Sequence, residues 1–203
     1  MPIFDRYLAQ LCSTMKTTTN RTRTNWYVVT GPPFSGKTTI VDALSMRGVP
    51  TVEDCGRRAI NEQIDLGKTK QDIHAQYGTL QVRISDLMLK EAQLRRPEEM
   101  VIWDYSFPDN LAYIALTHGN WSSVHVERAI RFQFKKTFLL QPVGDFDSRL
   151  DPVRSESLES RTKLYELMRN IYETLGTEVM EVPSATVSTR IEQIENHLVR
   201  AFN

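Results

Sequence analysis

The sequence predicts an α/β fold, in which helices cover both faces of a five-stranded parallel sheet to give three α/β/α layers. From Trp26 onward, short apolar runs alternate with longer segments whose apolar residues recur at helical spacing. Residues 31–38 read GPPFSGKT, a complete G-x-x-x-x-G-K-[ST] motif, and they separate the first apolar run from the first helical segment. The order of strand, glycine-rich loop and helix agrees with the alternation, so both observations indicate the same fold.

Local patterns justify the elements in turn. Trp26–Val29 is an apolar run typical of a buried strand, and the segment after the glycine-rich loop carries Ile40, Val41 and Leu44 on one face. Further along, Pro108 suits the first turn of a helix. The predicted strands are 26–30, 50–53, 99–103, 136–141 and 177–182. The predicted helices are 37–47, 56–66, 70–95, 108–118, 122–133, 155–175 and 187–202.

The first 25 residues differ from the rest of the chain. Residues 3–12 have the pattern of a short amphipathic helix, and residues 13–25 are a polar stretch that we interpret as a linker. We therefore divide the chain into an N-terminal helix and linker, residues 1–25, and one P-loop domain, residues 26–203.

Composition limits the classes of function. The 203 residues include 25 basic and 25 acidic side chains, so the chain has no excess charge that would attract nucleic acid or an anionic membrane. No apolar run is long enough for a transmembrane segment. Two cysteines and four scattered histidines predict neither a disulfide framework nor a structural metal site, and we expect a cytoplasmic location.

The glycine-rich loop predicts that the protein binds a nucleotide, ATP or GTP. Gly31 and Gly36 allow backbone conformations that aim successive N–H groups at a phosphate, at the start of a helix. Lys37 would reach the β- and γ-phosphates, and the Thr38 hydroxyl would bind Mg²⁺. No base-reading N-K-x-D motif is present, which favours ATP and leaves GTP open. The predicted nucleotide-binding residues are Gly31, Pro32, Pro33, Phe34, Ser35, Gly36, Lys37, Thr38 and Thr39.

The carboxyl ends of the strands are where such sheets bind ligands. Glu53 follows the second strand and would orient or deprotonate an acceptor hydroxyl. Arg57 shares a helical face with Ile60 and Ile64 and would bind the acceptor. The alternative for this pair is a helix cap and a buried ion pair. Arg58 is interpreted as a solvated surface charge.

The third strand is an apolar run closed by Asp104, which is typical of a Walker B segment. Asp104 would hold Mg²⁺ or act as a base toward a substrate hydroxyl. Asp109 stands one turn into the next helix. It is either a substrate-binding residue or an acid that stabilises the N-terminus of the helix, and the sequence does not choose between these roles.

The fourth strand leads into a long charged loop, residues 145–156, which is typical of a lid. Arg154 and Arg161 are seven residues apart and therefore lie on one helical face. Beside a P-loop, two such arginines would clamp the transferring phosphoryl group and act as catalytic residues. The alternative is a pair of salt bridges to Asp151 or Glu156 on an exposed helix.

Four further patterns occur along the chain: Glu53-Asp54-Cys55-Gly56-Arg57, Asp104 with Pro108-Asp109 and Leu111-Ala112-Tyr113, Asp151-x-x-Arg154 and Val182-Pro183. Together they resemble a group of small P-loop proteins catalogued as AAA-like domains. The resemblance covers roughly residues 26–200, and it extends to the kinase domain of nicotinamide-riboside kinases and to an insect GTP-binding protein that moves ion channels. It implies a nucleoside- or nucleotide-kinase-like core, ATP or GTP with Mg²⁺, and a lid that carries Arg154. Many relatives have an arginine directly after the third-strand acid, where this chain has Tyr105.

Two classes of function follow. The first is a kinase that transfers the γ-phosphoryl group of ATP to a small nucleoside-like acceptor held between Glu53, Arg57 and Asp104. The alternative is a nucleotide-dependent switch or binding module with a protein or lipid partner and little turnover, which Tyr105 and the basic segment 122–136 favour. An NTP hydrolase that needs no acceptor is a third interpretation.

Overall fold

The computed structural model of the chain describes residues 2–117, 119–142 and 158–199. Apart from the predicted helix 70–95, the predicted elements after residue 25 correspond to helices and strands of this structure within a few residues at each described end. In chain order the elements are α1 (Pro2–Thr17), β1 (Thr22–Arg23), β2 (Trp26–Thr30), α2 (Lys37–Met46), β3 (Thr51–Val52), α3 (Cys55–Asp65), α4 (Lys70–Ala75), α5 (Tyr77–Gln93), β4 (Val101–Asp104), α6 (Phe107–Leu116), α7 (Ser123–Arg131), β5 (Phe132–Gln133), β6 (Lys136–Leu140), α8 (Leu158–Thr174), β7 (Glu178–Val182) and α9 (Val187–Val199).

The main sheet has five parallel strands in the order β3-β4-β2-β6-β7, which confirms the predicted fold class. Val28 in the central strand β2 lies opposite Trp103 of β4 on one side and Thr137 of β6 on the other. Two short strands, β1 and β5, form a separate parallel pair. The chain passes from β2 to β3 on one side of β2, and later from β4 to β6 on its other side. The carboxyl end of β2 therefore lies at a switch point, which is where such sheets bind ligands.

Alternate side chains of the central strand face two separate apolar cores, as the pleat of a strand requires. Trp26 and Val28 pack into the larger core with residues of α1, α3 and α5 to α8. Tyr27 and Val29 pack into the smaller core, where α2 and α9 contribute the other apolar side chains. This two-faced burial explains why the central strand β2 is an almost continuous apolar run and not an alternating pattern.

The N-terminal segment is packed into the larger core. Tyr7 and Leu11 of α1 are buried there, and the Tyr7 hydroxyl donates to the carbonyl of Gly119 at 2.7 Å. The expected polar linker, 13–25, instead contains the last turns of α1 and strand β1. At the end of α1 the hydroxyls of Thr17 and Thr18 both donate to the carbonyl of Thr14 at 2.9 Å, which also accepts from the N–H of Thr18 at 3.1 Å.

The predicted helix 70–95 is two helices, α4 and α5, that meet at Gln76. The backbone of Gln76, with φ −108° and ψ 31°, lies outside the helical region and separates the two helices. The helical pattern of the sequence continues across this break. In the part of the chain that the structure describes, no helix combines the length and apolar character needed to span a membrane.

Candidate functional site

The P-loop joins the end of β2 to the start of α2 and depends on its two glycines. Gly31 has a φ of +151°, and a Cβ added there would lie 2.6 Å from the carbonyl oxygen of Leu140. Gly36 is the N-cap of α2 with a φ of +86°, a left-handed conformation. Between them the N–H of Ser35 donates to the carbonyl of Pro32 at 3.2 Å, which closes a tight turn. The loop therefore has the conformation that its motif predicts.

Lys37 is a buried cation inside this loop. Its ammonium group donates to the carbonyls of Gly31 at 2.8 Å and Pro32 at 3.1 Å. The positive charge therefore lies within the loop, at the N-terminus of α2, where the helix dipole also favours an anion.

A hydroxyl and a carboxylate meet beside the loop. The Thr38 hydroxyl, in the first turn of α2, donates to the carboxylate of Asp104 at 2.8 Å, and Asp104 is buried at the end of β4. Mg²⁺ prefers oxygen ligands of this kind and usually takes only one or two from the protein, because phosphates and water supply the others. Within the described ranges, no three His, Cys, Asp or Glu side chains cluster as a metal site. The hydroxyl and carboxylate of this pair therefore fit a nucleotide-bound Mg²⁺.

A cavity of about 350 Å³ opens next to this pair, between α2, α3 and the ends of β3 and β4. Thr38 and Asp104 line one side of it, and Glu53 and Arg57 line another. The structure thus brings together four of the residues that the sequence predicts for the site. Among its charged lining residues acids outnumber bases: the acids are Asp42, Glu53, Asp54, Glu62, Asp65 and Asp104, against Arg57 and Arg58.

Both arginines of α3 line the cavity, but their surroundings differ. Arg57 is exposed at the cavity, because the buried face of α3 is formed by Cys55 and Ala59. Arg58, predicted as a solvated charge, instead donates to Glu91 of α5 at 2.8 Å. Burial raises the pKa of Glu91, but hydrogen bonds from Arg58 and from a second arginine outweigh it and hold that pKa below its usual value.

Asp54 makes the helix cap that the sequence left open for the Glu53–Arg57 segment. Its carboxylate accepts from the N–H of Gly56 at 2.8 Å and of Arg57 at 3.0 Å. Glu53 is exposed at the cavity, so the cap is made by its neighbour and Glu53 faces the site.

Asp109 lies behind the P-loop and does not line the cavity. One carboxylate oxygen accepts from the Thr30 hydroxyl at 2.5 Å, and the other accepts from the N–H of Ser106 and the hydroxyl of Tyr172, both at 2.8 Å. Burial raises the pKa of Asp109 to about 6. Asp109 has the predicted place at a helix N-terminus, where it forms a capping box with Ser106. Its predicted role in binding substrate stays a prediction. Asp109 also anchors the residue that precedes Gly31.

Arg161 of α8 reaches the P-loop. Its guanidinium carbon lies 5.9 Å from the centre of the Phe34 ring, and the side chain is only 8% exposed. Among the described residues, its Nε has no hydrogen-bond partner. Arg154 and the predicted lid, 145–156, lie outside the described residues.

Tyr105, directly after Asp104, has a φ of +73°, which is rare for a bulky side chain. Its ring is buried 5.7 Å from that of Tyr113. Burial raises the pKa of Tyr105, so the residue is a neutral phenol where an arginine would be a cation.

Arg190 of α9 is a residue that the sequence predictions missed. It is buried and donates to the Ser35 carbonyl of the P-loop at 2.6 Å. The sequence did carry a signal for its burial: Arg190 precedes Ile191 and lies four residues before Ile194, on the apolar face of the helix.

The fold and the site together define a P-loop nucleotide-binding domain of the kind found in small-molecule kinases. Residues 26–190 match a protein family described as "AAA domain", and the chain belongs to this family. A search of curated proteins gives no match.

Solved structures show the same fold. Deoxyadenosine kinase from M. mycoides with bound dATP has a TM-score of 0.59 at 14% identity, over 85% of this chain and 98% of that one. The same enzyme with dCMP and dCDP has a TM-score of 0.57 at 15% identity, over 86% and 99%. Shikimate kinase from Acinetobacter baumannii with shikimate has a TM-score of 0.51 at 17% identity, over 92% and 98%. At these identities the likeness establishes the fold alone.

Proposed function

We propose that the protein is a Mg²⁺-dependent kinase that transfers the γ-phosphoryl group of ATP to a hydroxyl of a small nucleoside-like acceptor. One observation carries the proposal: Thr38 and Asp104, the pair suited to a nucleotide-bound Mg²⁺, form part of the wall of the 350 Å³ cavity. A phosphoryl donor in the P-loop and an acceptor in this cavity would therefore be neighbours, which is the main requirement of direct phosphoryl transfer.

The P-loop residues 31–39 would hold the triphosphate through main-chain N–H groups and Lys37. Thr38 and Asp104 would hold Mg²⁺, which when bound neutralises charge on the phosphate oxygens. The resemblance to nicotinamide-riboside kinases and the preference for ATP over GTP belong to the same proposal.

The acceptor would lie between Glu53, Arg57 and Asp104 in the cavity. Glu53 is the carboxylate that would orient the acceptor hydroxyl and take its proton. The acidic lining repels phosphate groups, so we expect an acceptor that is neutral or cationic and carries a free hydroxyl.

Cations on the donor side would stabilise the charge of the transferring group. Lys37 and Arg161 lie at the P-loop in the structure, and Arg154 is added from the sequence alone. A buried guanidinium with an available N–H is suited to bind the non-bridging oxygens of a phosphoryl group.

A panel of acceptors tests the proposal. Purified protein with Mg²⁺ and ATP or GTP is incubated with nucleosides, nucleotides and other small hydroxyl compounds, and release of nucleoside diphosphate is followed. Release that rises with one unphosphorylated acceptor supports the kinase. Release that is equal with and without every acceptor would instead assign a hydrolase.

Tyr105 supports the second candidate, a nucleotide-dependent switch or binding module with a protein or lipid partner. A buried neutral ring follows Asp104, where relatives carry an arginine, so that position supplies no charge for transfer. Saturable nucleotide binding with almost no turnover, with or without acceptor, would favour this function over the kinase.

A further inference from the structure

Arg190, in the first turn of α9, is a buried cation that the proposed reaction does not use. Its side chain is 2% exposed. Nε donates to the carbonyl of Pro183 at 2.8 Å, Nη1 to that of Ser35 at 2.6 Å and Nη2 to that of Gln141 at 2.8 Å. One guanidinium therefore joins the P-loop to the segments that follow β6 and β7.

All three acceptors are neutral carbonyls, and no carboxylate pairs with Arg190 in the described part of the chain. Burial lowers the pKa of Arg190, yet a guanidinium stays protonated in proteins. Burying an unneutralised charge is unfavourable. A cation retained close behind a phosphate-binding loop is most easily understood if an anion binds on the other side of that loop.

The contact with Ser35 also fixes the orientation of the next peptide. The peptide that joins Ser35 to Gly36 is planar and trans, so its carbonyl and its N–H point to opposite sides. Because the Ser35 carbonyl points to Arg190, the N–H of Gly36 points away from Arg190. Gly36 has no Cβ to resist rotation of this peptide, and a Cβ there would lie 3.6 Å from Nη1 of Arg190.

We propose that Arg190 is a positioning residue of the P-loop. Arg190 holds the Ser35 carbonyl turned away from the nucleotide and so aims the Gly36 N–H at the nucleotide phosphates. Without Arg190 this peptide could rotate and present a carbonyl oxygen to the phosphates, which would repel them. The proposal rests on the nucleotide-binding part of the proposed function and is independent of the acceptor.

The test compares three variants. Arg190→Met removes the charge and all three hydrogen bonds, and Arg190→Lys keeps the charge without the three-way fork. Arg47→Ala is the matched control, because Arg47 also links α2 to α9, through an exposed pair with Glu195. Affinities for AMP, ADP and ATP are measured by titration calorimetry, and thermal unfolding verifies that each variant is folded.

We expect Arg190→Met to weaken ADP binding at least about tenfold, the effect of one charged hydrogen bond, and to weaken AMP binding less. A P-loop encloses the β-phosphate. Only a defect in the loop should therefore cause a loss of affinity that is larger for ADP than for AMP. Arg190→Lys should fall between Met and wild type, and Arg47→Ala should bind like wild type.

Wild-type ADP affinity in Arg190→Met, or an equal loss for AMP and ADP, would overturn the proposal. If the Met variant does not fold, Arg190→Lys decides in the same way, since ADP affinity equal to wild type would overturn it. Wild-type protein that binds ADP but phosphorylates no acceptor would overturn the kinase alone. Wild-type protein that binds no nucleotide would overturn both proposals.

Discussion

The ammonium group of Lys37 contacts the carbonyls of Gly31 and Pro32, inside the loop that would enclose the phosphates. Lys37→Ala removes the charge, and we expect nucleotide affinity to fall by roughly ten- to a hundredfold, the effect of one charge-assisted hydrogen bond. Lys90→Ala, at an exposed position of α5, is the control and should bind like wild type. Full nucleotide affinity in Lys37→Ala, measured by titration calorimetry, would show that the loop does not bind phosphate.

Asp109 gives the stability of the protein a predictable dependence on pH. Burial raises the pKa of Asp109 from 3.8 to about 6, so the folded state holds the proton more tightly than the unfolded chain. The stabilisation from this proton is fully present below about pH 4 and is lost as the pH rises through about 6. The difference between the two pKa values corresponds to about 3 kcal/mol.

Urea unfolding of wild type and Asp109→Asn between pH 4 and pH 7.5 measures this loss. Asparagine does not titrate, so the stability of the variant relative to wild type should rise by up to about 3 kcal/mol over the interval. A relative stability that stays constant with pH would mean that Asp109 keeps an ordinary pKa in the folded protein.

The residues of the site differ in how visible they are in the sequence. Lys37 and Thr38 belong to one contiguous motif, and Asp104 closes an apolar strand, so local patterns are enough to find them. Arg190 donates to the carbonyl of Ser35, far away in the chain, and Asp109 is separated from Thr30 by two crossovers, β2 to β3 and β3 to β4. Such partners are set by strand order, which a linear pattern does not reveal.

Substitutions in helix α1 test whether the N-terminal segment is part of the folded domain. Leu11 is buried in the larger core, and Leu11→Ala should lower the free energy of unfolding by about 2–5 kcal/mol. Gln10→Ala, at an exposed position of the same helix, should change it by less than about 0.5 kcal/mol. Equal denaturation midpoints for the two variants would show that residues 1–25 are an appendage.

At the level of elements, periodicity identifies helices and strands well but says little about where a helix breaks or docks. The inner strands β2 and β4 were predictable because all their residues are buried and most are apolar. The break at Gln76 has no proline and retains a helical pattern on both sides. The docking of α1 depends on a bond from Tyr7 to Gly119, which only the folded chain brings together.

For the whole molecule, the fold class was predictable because the P-loop and the alternation of elements each specify it independently. The cavity was predictable only in part: Glu53 and Asp104 could be placed at strand ends, but the predominance of acids comes from several helix positions. That predominance is what bears on the acceptor. Under the proposed function, it favours an acceptor without a phosphate group, with a hydroxyl whose proton Glu53 would take.

The proposed kinase would pass a phosphoryl group from a nucleotide in the P-loop to an acceptor in this cavity. Its most direct test follows a labelled γ-phosphate of ATP into an acceptor, with wild type and Glu53→Gln compared at equal nucleotide occupancy. We predict a labelled, phosphorylated acceptor with wild type and a kcat about a hundredfold lower with Glu53→Gln, at unchanged affinity for ATP. Two results would contradict the proposed kinase: label recovered only as inorganic phosphate, or label that stays in ATP with every acceptor.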